Sequence, residues 1–287
     1  MGPAEYLQQK KQLIDQTLEC YLSQENSPVF EAMRYSVLDG GKRFRPLLLM
    51  ACGEYFGAPE KLLLPYACAI ELIHSYSLVH DDLPMMDNDD YRRGKFSCHK
   101  KFGQGLALLA GDGLLSLAFE ILAEAPAPEQ NPQIKDMIIS EIARTIGPSG
   151  MIAGQYLDIS FNPENQDVSV NQEIALKKTA GLIRVSGVSG ARLAGASPVQ
   201  VEAVEKFGTY LGLAFQLRDD LEDLAQDLSV SKPLRPNLAS ILGVESSLEL
   251  LEELRSKAEN SLREFKIYSD ILEFFIHQIQ FQPEKKA

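Results

Sequence analysis

Apolar residues recur along most of this chain at intervals of three and four, the spacing that lines one face of a helix. Strict alternation of apolar and polar residues, the signature of a half-buried strand, is almost absent, and the β-branched residues are scattered. The pattern predicts an all-α protein. Breakers fall at Ser27-Pro28, Gly40-Gly41, Pro65, Pro84, Pro126 to Pro132, Gly147-Pro148, Asn162-Pro163, Ser197-Pro198, Pro233 and Pro236, leaving roughly ten helical segments. The stretch from Pro65 to Val79 is apolar on nearly every side, which predicts a buried central helix. Glu205 to Leu228 predicts a long amphipathic one. With no internal repeat and no shift in composition, residues 1–287 read as a single-domain helical bundle with a central cavity for a ligand.

Composition narrows the picture. The 287 residues are 45% hydrophobic, enough for a substantial core. No apolar run approaches the ~18 uninterrupted residues of a membrane span, so stable membrane insertion is not expected. Met1 to Lys11 is polar and lacks the layout of a signal peptide. Cys20, Cys52, Cys68 and Cys98 show no CxxC pairing and read as reduced thiols in a cytoplasmic chain. The net charge is −12, from 40 acidic and 28 basic residues, which opposes nucleic-acid binding because that needs a basic footprint. In such a chain a polyanionic substrate requires local cations or bound metal.

Two acidic clusters supply candidate chemistry. Asp81-Asp82-Leu83-Pro84-Met85-Met86-Asp87-Asn88-Asp89-Asp90 directly follows the buried helix. On a straight helix Asp81 and Asp87 would lie about 120° apart, so the expectation is that Pro84 distorts the turn and brings them together. His74 lies two turns before Asp81 on the same face. In the second cluster, Gln216 to Asp227, the carboxylates Asp219, Asp223 and Asp227 follow i, i+4, i+8 spacing and form one stripe. Leu217, Leu221, Leu224 and Leu228 take the opposite side. An isolated acidic run is usually a solvated face. Here one cluster ends a hydrophobic helix and the other crowds four acids into about a turn and a half beside Arg218 alone. Mg²⁺ relieves both repulsions, since it binds through one or two carboxylates plus substrate phosphates.

Basic residues provide the counterpart. Gly40-Gly41-Lys42-Arg43-Phe44-Arg45-Pro46 concentrates cations in a glycine-led turn, and Tyr91-Arg92-Arg93-Gly94-Lys95 follows the first acidic cluster. Lys177-Lys178-Thr179 is a further candidate. Cations beside metal-type carboxylates suit a phosphate clamped between metal and guanidinium groups. No Walker-type or GxGxxG element is present, so nucleotide-binding folds find no support.

These stretches, with Ile73 to Pro84, Met86 to Gly94, Ala110-Gly111-Asp112, Gly154-Gln155, Asp158, Lys178-Thr179-Ala180 and Phe215-Gln216 before Asp219-Asp220 and Asp223, resemble the trans-isoprenyl (polyprenyl) diphosphate synthases. The resemblance is especially to the bacterial farnesyl diphosphate synthases. The resemblance runs through most of residues 25–225 in order. It implies the isoprenoid-synthase helical fold, a homodimer, and Mg²⁺-dependent condensation of isopentenyl diphosphate with an allylic diphosphate. It also implies that Asp81, Asp87, Asp219 and Asp223 bind metal, about three Mg²⁺ per site. Arg92 and Lys178 would assist with the allylic diphosphate, and Lys42, Arg45, His74 and Arg93 would hold that of isopentenyl diphosphate. Lys178, Thr179 and Gln216 would serve the reacting centre, the last two facing the allylic cation with oxygen dipoles, and the released pyrophosphate would take the final proton. Tyr76, about 7.5 Å before Asp81 along the helix, would form the pocket floor that sets a farnesyl product.

Two regions depart from that family. Residues 227–237 are several residues shorter than the usual loop and lack its glycines, leaving Lys232 and Arg235 as the cations available to substitute. The C-terminus, from Phe281, lacks the arginine often found there. Alternative readings are a geranylgeranyl diphosphate synthase, a low-activity regulatory subunit of a heteromeric synthase, and a class I terpene cyclase. Lys42, Arg45 and His74 beside a complete Asp219-Asp220-Asp223 oppose the cyclase.

Overall fold

The computed structural model describes residues 2–38, 40–160, 167–230 and 237–281, the side chains of 226–230 excepted. The described residues form fourteen α-helices, one π turn and one short hairpin, so the all-α expectation holds. Helices beyond the roughly ten expected include short connectors, too brief to show a periodicity. Contacts divide the chain into two compact units, Met1–Ile139 with Arg192–Gly195, and Ser140–Ala191 with Ala196–Ala287.

The first unit is built on α1 (Pro3–Leu22), α2 (Pro28–Leu38), α3 (Phe44–Tyr55), α4 (Glu60–Asp81), α5 (Cys98–Phe102) and α6 (Gln104–Glu124). Between α4 and α5, β1 (Tyr91–Arg92) and β2 (Lys95–Phe96) pair antiparallel. α4 is the expected central helix: α1, α2, α3 and α6 all pack on it, and Tyr66 to Ile73 are buried without a break. α3 approaches it closely because Gly53 has no Cβ; one there would lie 2.4 Å from Leu63 Cδ2. By length and composition α4 and α6 are each apolar enough to cross a membrane. For α4 that hydrophobicity is spent on the core of this unit.

Arg43 anchors the entry to α3. It sits in the left-handed region at φ 52° with its side chain sealed from solvent. Its Nε donates to Asp15 Oδ1 at 2.7 Å, Nη1 to Glu71 Oε1 at 2.7 Å and Nη2 to the Val37 carbonyl at 2.6 Å. One guanidinium thus ties α1, α2 and α4 together. Burial opposes ionisation of Asp15, but Lys11 and Arg43 outweigh it and hold its carboxyl below the usual range.

The second unit contains α8 (Met151–Ile159), α9 (Val168–Ile174), a π turn at Ala175–Ala180, α10 (Gly181–Leu193), α11 (Pro198–Val230), α12 (Leu238–Leu242), α13 (Val244–Glu264) and α14 (Asp270–His277). α7 (Gln133–Ile146) runs from the first unit into it, and the last residues of α10 belong to the first. α11 is the spine, about 50 Å long at 1.5 Å per residue, and it packs on α12, α13 and the π turn. Glycine sets the last approach: a Cβ on Gly212 would stand 2.5 Å from Ala180 Cα.

Candidate active site

In the first unit α4 ends at Asp81, and the chain then folds back on itself. Leu83 N–H donates to the His80 carbonyl at 3.1 Å, Met86 and Asn88 both donate to the Leu83 carbonyl at 2.8 and 3.1 Å, and Asp87 N–H reaches the Asp81 carbonyl at 2.8 Å. Asn88 turns the chain through φ 55°. Asp81 and Asp87 are brought together as expected, by a different device. The helix is not kinked through Pro84; it has already stopped, and Pro84 lies in the turn beyond its C-cap, where its missing N–H costs nothing.

Asp82 has a separate role from its neighbours. It is 2% exposed and accepts from Arg92 Nε and Nη2 at 3.0 and 2.5 Å, while Nη2 also reaches Asp89 Oδ2 at 3.0 Å. Burial raises the Asp82 carboxyl, with Arg92 opposing. Arg92 is therefore held against the acidic loop, near enough to Asp81 to feel its charge.

The basic turn forms a second feature of this unit. Arg45 is 8% exposed, with Nη1 3.4 Å from His74 Nε2. Arg93 Nη1 donates to the Gly40 carbonyl at 2.6 Å, and its guanidinium packs so closely on Gly41 that a Cβ there would lie 2.9 Å away. Burial first, then the charges of Arg45, Arg93, Arg43 and Arg92, hold His74 well below its ordinary pKa. The imidazole is neutral, so Nε2 accepts from Arg45. Arg45, His74 and Arg93 thus converge, Lys42 is exposed beside them, and Arg43 is diverted into the strut. Such clustering of cations suits an anionic ligand.

Tyr76 is 8% exposed on α4, and burial, then Asp81, push its phenol up to about 12. Its ring meets that of His80 edge-on, centroids 5.8 Å apart. His80 was not singled out by the sequence. Its Nε2 lies 3.1 Å from the Leu108 carbonyl, and a Cβ on Gly111 would collide with it at 2.1 Å. The glycine of Ala110-Gly111-Asp112 was the available signal.

In the second unit Asp219 and Asp223 stand one turn apart on α11, with Leu217, Leu221 and Leu224 buried opposite. The Asp227 side chain, Lys232 and Arg235 lie outside the described residues. Arg218 stacks 4.5 Å from the Phe215 ring centroid and pairs through Nε and Nη2 with Asp219 Oδ1. Asp220 points elsewhere and is 6% exposed. Gln216 Nε2 donates to its Oδ1 at 2.8 Å and Leu238 N–H to its Oδ2 at 3.1 Å. Burial nevertheless raises its carboxyl to about 6. Thr179 Oγ1 donates to Gln216 Oε1 at 2.6 Å. Thr179 and Lys178 lie in the π turn, a local widening common at functional sites. Lys178 Nζ bonds Asp158 Oδ2 at 2.6 Å, and α8 reaches this turn because Gly154 leaves room; its Cβ would lie 2.7 Å from Lys178 N. Next to it, both polar atoms of the Gln155 amide are buried without a partner among the described residues.

Among the described residues no three His, Cys, Asp or Glu side chains form a ready metal cage. Paired carboxylates are a hard-oxygen donor set of the kind Mg²⁺ uses when it keeps several waters and takes its remaining ligands from substrate phosphates. The residues fit that ion.

The chain belongs to the polyprenyl synthetase family, whose sequence profile matches residues 26–262. It is a short-chain trans-prenyltransferase. Among curated relatives, it is 39% identical to a farnesyl diphosphate synthase of Geobacillus stearothermophilus over 85% of this chain and 86% of the relative. It is 41% identical to the large subunit 1 of a heterodimeric geranylgeranyl pyrophosphate synthase of Arabidopsis thaliana, over 91% of this chain and 74% of that one. Among solved structures, an FPP/GFPP synthase from Zymomonas mobilis superposes with a TM-score of 0.83 at 31% identity, covering 96% of each chain.

Proposed function

We propose that this protein condenses isopentenyl diphosphate with dimethylallyl or geranyl diphosphate and releases mainly farnesyl diphosphate. The observation that carries this reading is the fold-back that pairs Asp81 with Asp87 in the same unit as the Arg45–His74–Arg93 cluster. One feature serves a metal-bound diphosphate, the other a second diphosphate.

Asp81 and Asp87 in the first unit, and Asp219 and Asp223 in the second, would hold Mg²⁺, about three ions in all, and that charge would favour departure of the allylic diphosphate. Arg92 and Lys178 add hydrogen bonds to that group as negative charge builds on it. Lys42, Arg45, His74 and Arg93 hold the other diphosphate, with Lys232 a further contributor. When the allylic C–O bond breaks, its electron pair leaves with the diphosphate. The double bond of isopentenyl diphosphate then attacks the cation, and a diphosphate oxygen takes the proton lost. Thr179 and Gln216 face the cation with oxygen dipoles. The enzyme acts as a homodimer, a reading supported by exposed Leu108 and Leu109 on α6 and, separately, by exposed Ile152, Tyr156 and Ile159 along α8; its place in the cytoplasm is inferred from the free thiols of Cys20, Cys52, Cys68 and Cys98.

Plant geranylgeranyl pyrophosphate synthases at 38–41% identity favour a second reading, a C20 product. Incubation with isopentenyl diphosphate and each allylic starter, followed by sizing of the dephosphorylated alcohols, separates the two. A dominant C15 alcohol supports farnesyl diphosphate, a dominant C20 alcohol replaces it, and no elongation with any starter points to the regulatory-subunit alternative.

A further inference from the structure

We propose that Asp220 is a positioning residue that sets the polarity of Thr179 through the Gln216 amide. The proposal rests on the prenyltransferase reading for its consequence in catalysis, and on geometry within the second unit for its cause. Both oxygens of Asp220 are taken by donors from the protein, Gln216 Nε2 at 2.8 Å and the Leu238 backbone N–H at 3.1 Å, and the residue is 6% exposed. A carboxylate so engaged and sealed is occupied otherwise than in metal binding, although it stands between the paired acids Asp219 and Asp223.

The direction of each hydrogen bond follows from what each group can do. The Gln216 amide turns its NH₂ toward Asp220, whose two oxygens both accept, and its Oε1 toward Thr179. Thr179 has one hydroxyl proton and gives it to Gln216 at 2.6 Å. Its lone pairs are then what it presents to anything else nearby, the arrangement that favours a developing carbocation. The second oxygen of Asp220 keeps this direction fixed, because a backbone N–H cannot reverse. Asn237 adds to the tether, its Nδ2 donating to the Asp220 carbonyl at 3.2 Å.

Asp220→Asn keeps the shape and inverts the chain. The buried Leu238 N–H still needs an acceptor, so the Asn oxygen faces it and the Asn NH₂ faces residue 216. Gln216 must flip to accept, its own NH₂ turns to Thr179, and the Thr179 proton is released outward. A donor now confronts the cation. We expect kcat to fall about 100-fold, the scale set by loss of one preorganised dipole at a reacting centre. KM for both diphosphates should stay within about threefold, since neither is held by these groups.

The test compares steady-state kinetics of the wild type with Asp220→Asn, Thr179→Val, Asp220→Asn/Thr179→Val and Asp220→Asn/Gln216→Glu, each checked by melting temperature. Asp220→Asn should cost much less kcat in the Thr179→Val background than in the wild type, because only the Gln216 oxygen is then left to lose. Exchanging acid and amide in Asp220→Asn/Gln216→Glu makes residue 216 accept from both sides, so it should recover part of the lost kcat, which mere packing would not. Wild-type kcat in a folded Asp220→Asn, additive losses with Thr179→Val, or no recovery in the exchange variant would each overturn the proposal. NMR on the wild-type protein without substrate gives an independent reading: nuclear Overhauser effects should connect the Gln216 NH₂ protons to the Leu238 side and not to the Thr179 methyl. A strong Thr179 contact would overturn the proposed polarity. That measurement decides the amide's direction whether or not any product forms and whether or not a variant folds.

Discussion

The backbone N–H of Asp87 is bonded to the carbonyl oxygen of Asp81 at 2.8 Å. Six residues of straight helix would have left their side chains about 120° apart; a helix stop followed by a closed turn brings the two positions together. Because the pairing is built from main-chain bonds, it exists before any ion arrives. The carboxylates face less ordering on binding than they would on an open loop.

Substituting these acids tests the metal assignment. Asp81→Ala and Asp219→Ala should each lower kcat by about 10³-fold, at the upper end of what loss of one electrostatic contact to a transition state costs. Chelation should abolish condensation by the wild type, and Mg²⁺ should restore it. Full turnover in excess chelator would refute the assignment.

Arg45 and Lys42 should act on one substrate. Arg45 lies against His74 at 3.4 Å, among the cations that depress His74. Arg45→Gln and Lys42→Gln should raise KM for isopentenyl diphosphate at least about tenfold, the effect of losing a charge-assisted contact of about 1.4 kcal/mol or more, with the allylic KM little changed. Equal increases for both substrates would remove the division of labour.

His74 should also mark the pH dependence of stability. Its folded pKa lies well below the ordinary value through burial and through Arg45, Arg93, Arg43 and Arg92. Below about 6.5 the unfolded chain takes up a proton that the folded one refuses, so stability is complete above that pH and is lost as pH falls below it. The loss approaches about 1.4 kcal/mol per pH unit for this residue. Urea unfolding at pH 7.5 and 5.5 should show a smaller difference for His74→Gln than for the wild type. Equal differences would mean that His74 is not depressed.

Much of this architecture was legible in the amino-acid pattern. The stretch from Pro65 to Val79, apolar on nearly every side, specified a buried helix because only a helix surrounded by others can bury most of its faces, and α4 is that helix. The spacing of Asp219 and Asp223 placed them on one stripe of α11, which needed only the helical repeat. Tertiary choices were hidden. Arg43 and Arg45 look alike in sequence, yet Asp15, Glu71 and Val37 capture the first, and these partners lie in other helices. Asp219 and Asp220 are adjacent, yet one points to Arg218 and the other to Gln216 and Leu238, a distinction made by 100° of helix rotation and by what packs there. The fold-back onto Asp81 depends on main-chain bonds after a helix stop, and side-chain pattern carries no direct mark of those.

The last expectation concerns chain length. Tyr76 stands on α4 before Asp81, 8% exposed, with its ring edge-on to His80 at 5.8 Å. His80 is in turn held on α6 at the Leu108 carbonyl and packed against Gly111, so the aromatic pair is braced and cannot yield easily to a growing apolar tail. If the Tyr76 ring is the floor of the pocket, removing it opens the space of another isoprene unit. Tyr76→Ala should shift the main product from C15 toward C20 or longer, at a stability cost of about 3–5 kcal/mol for an aromatic ring lost from a packed site. The measurement is chromatography of the prenyl alcohols from a variant whose melting curve shows it folded. Gly111→Ala supplies the complementary case: the clash with His80 should press the pair inward, and longer products should fall with no new ones formed. An unchanged C15 product from folded Tyr76→Ala would reduce Tyr76 to core packing and move the control of chain length to other residues.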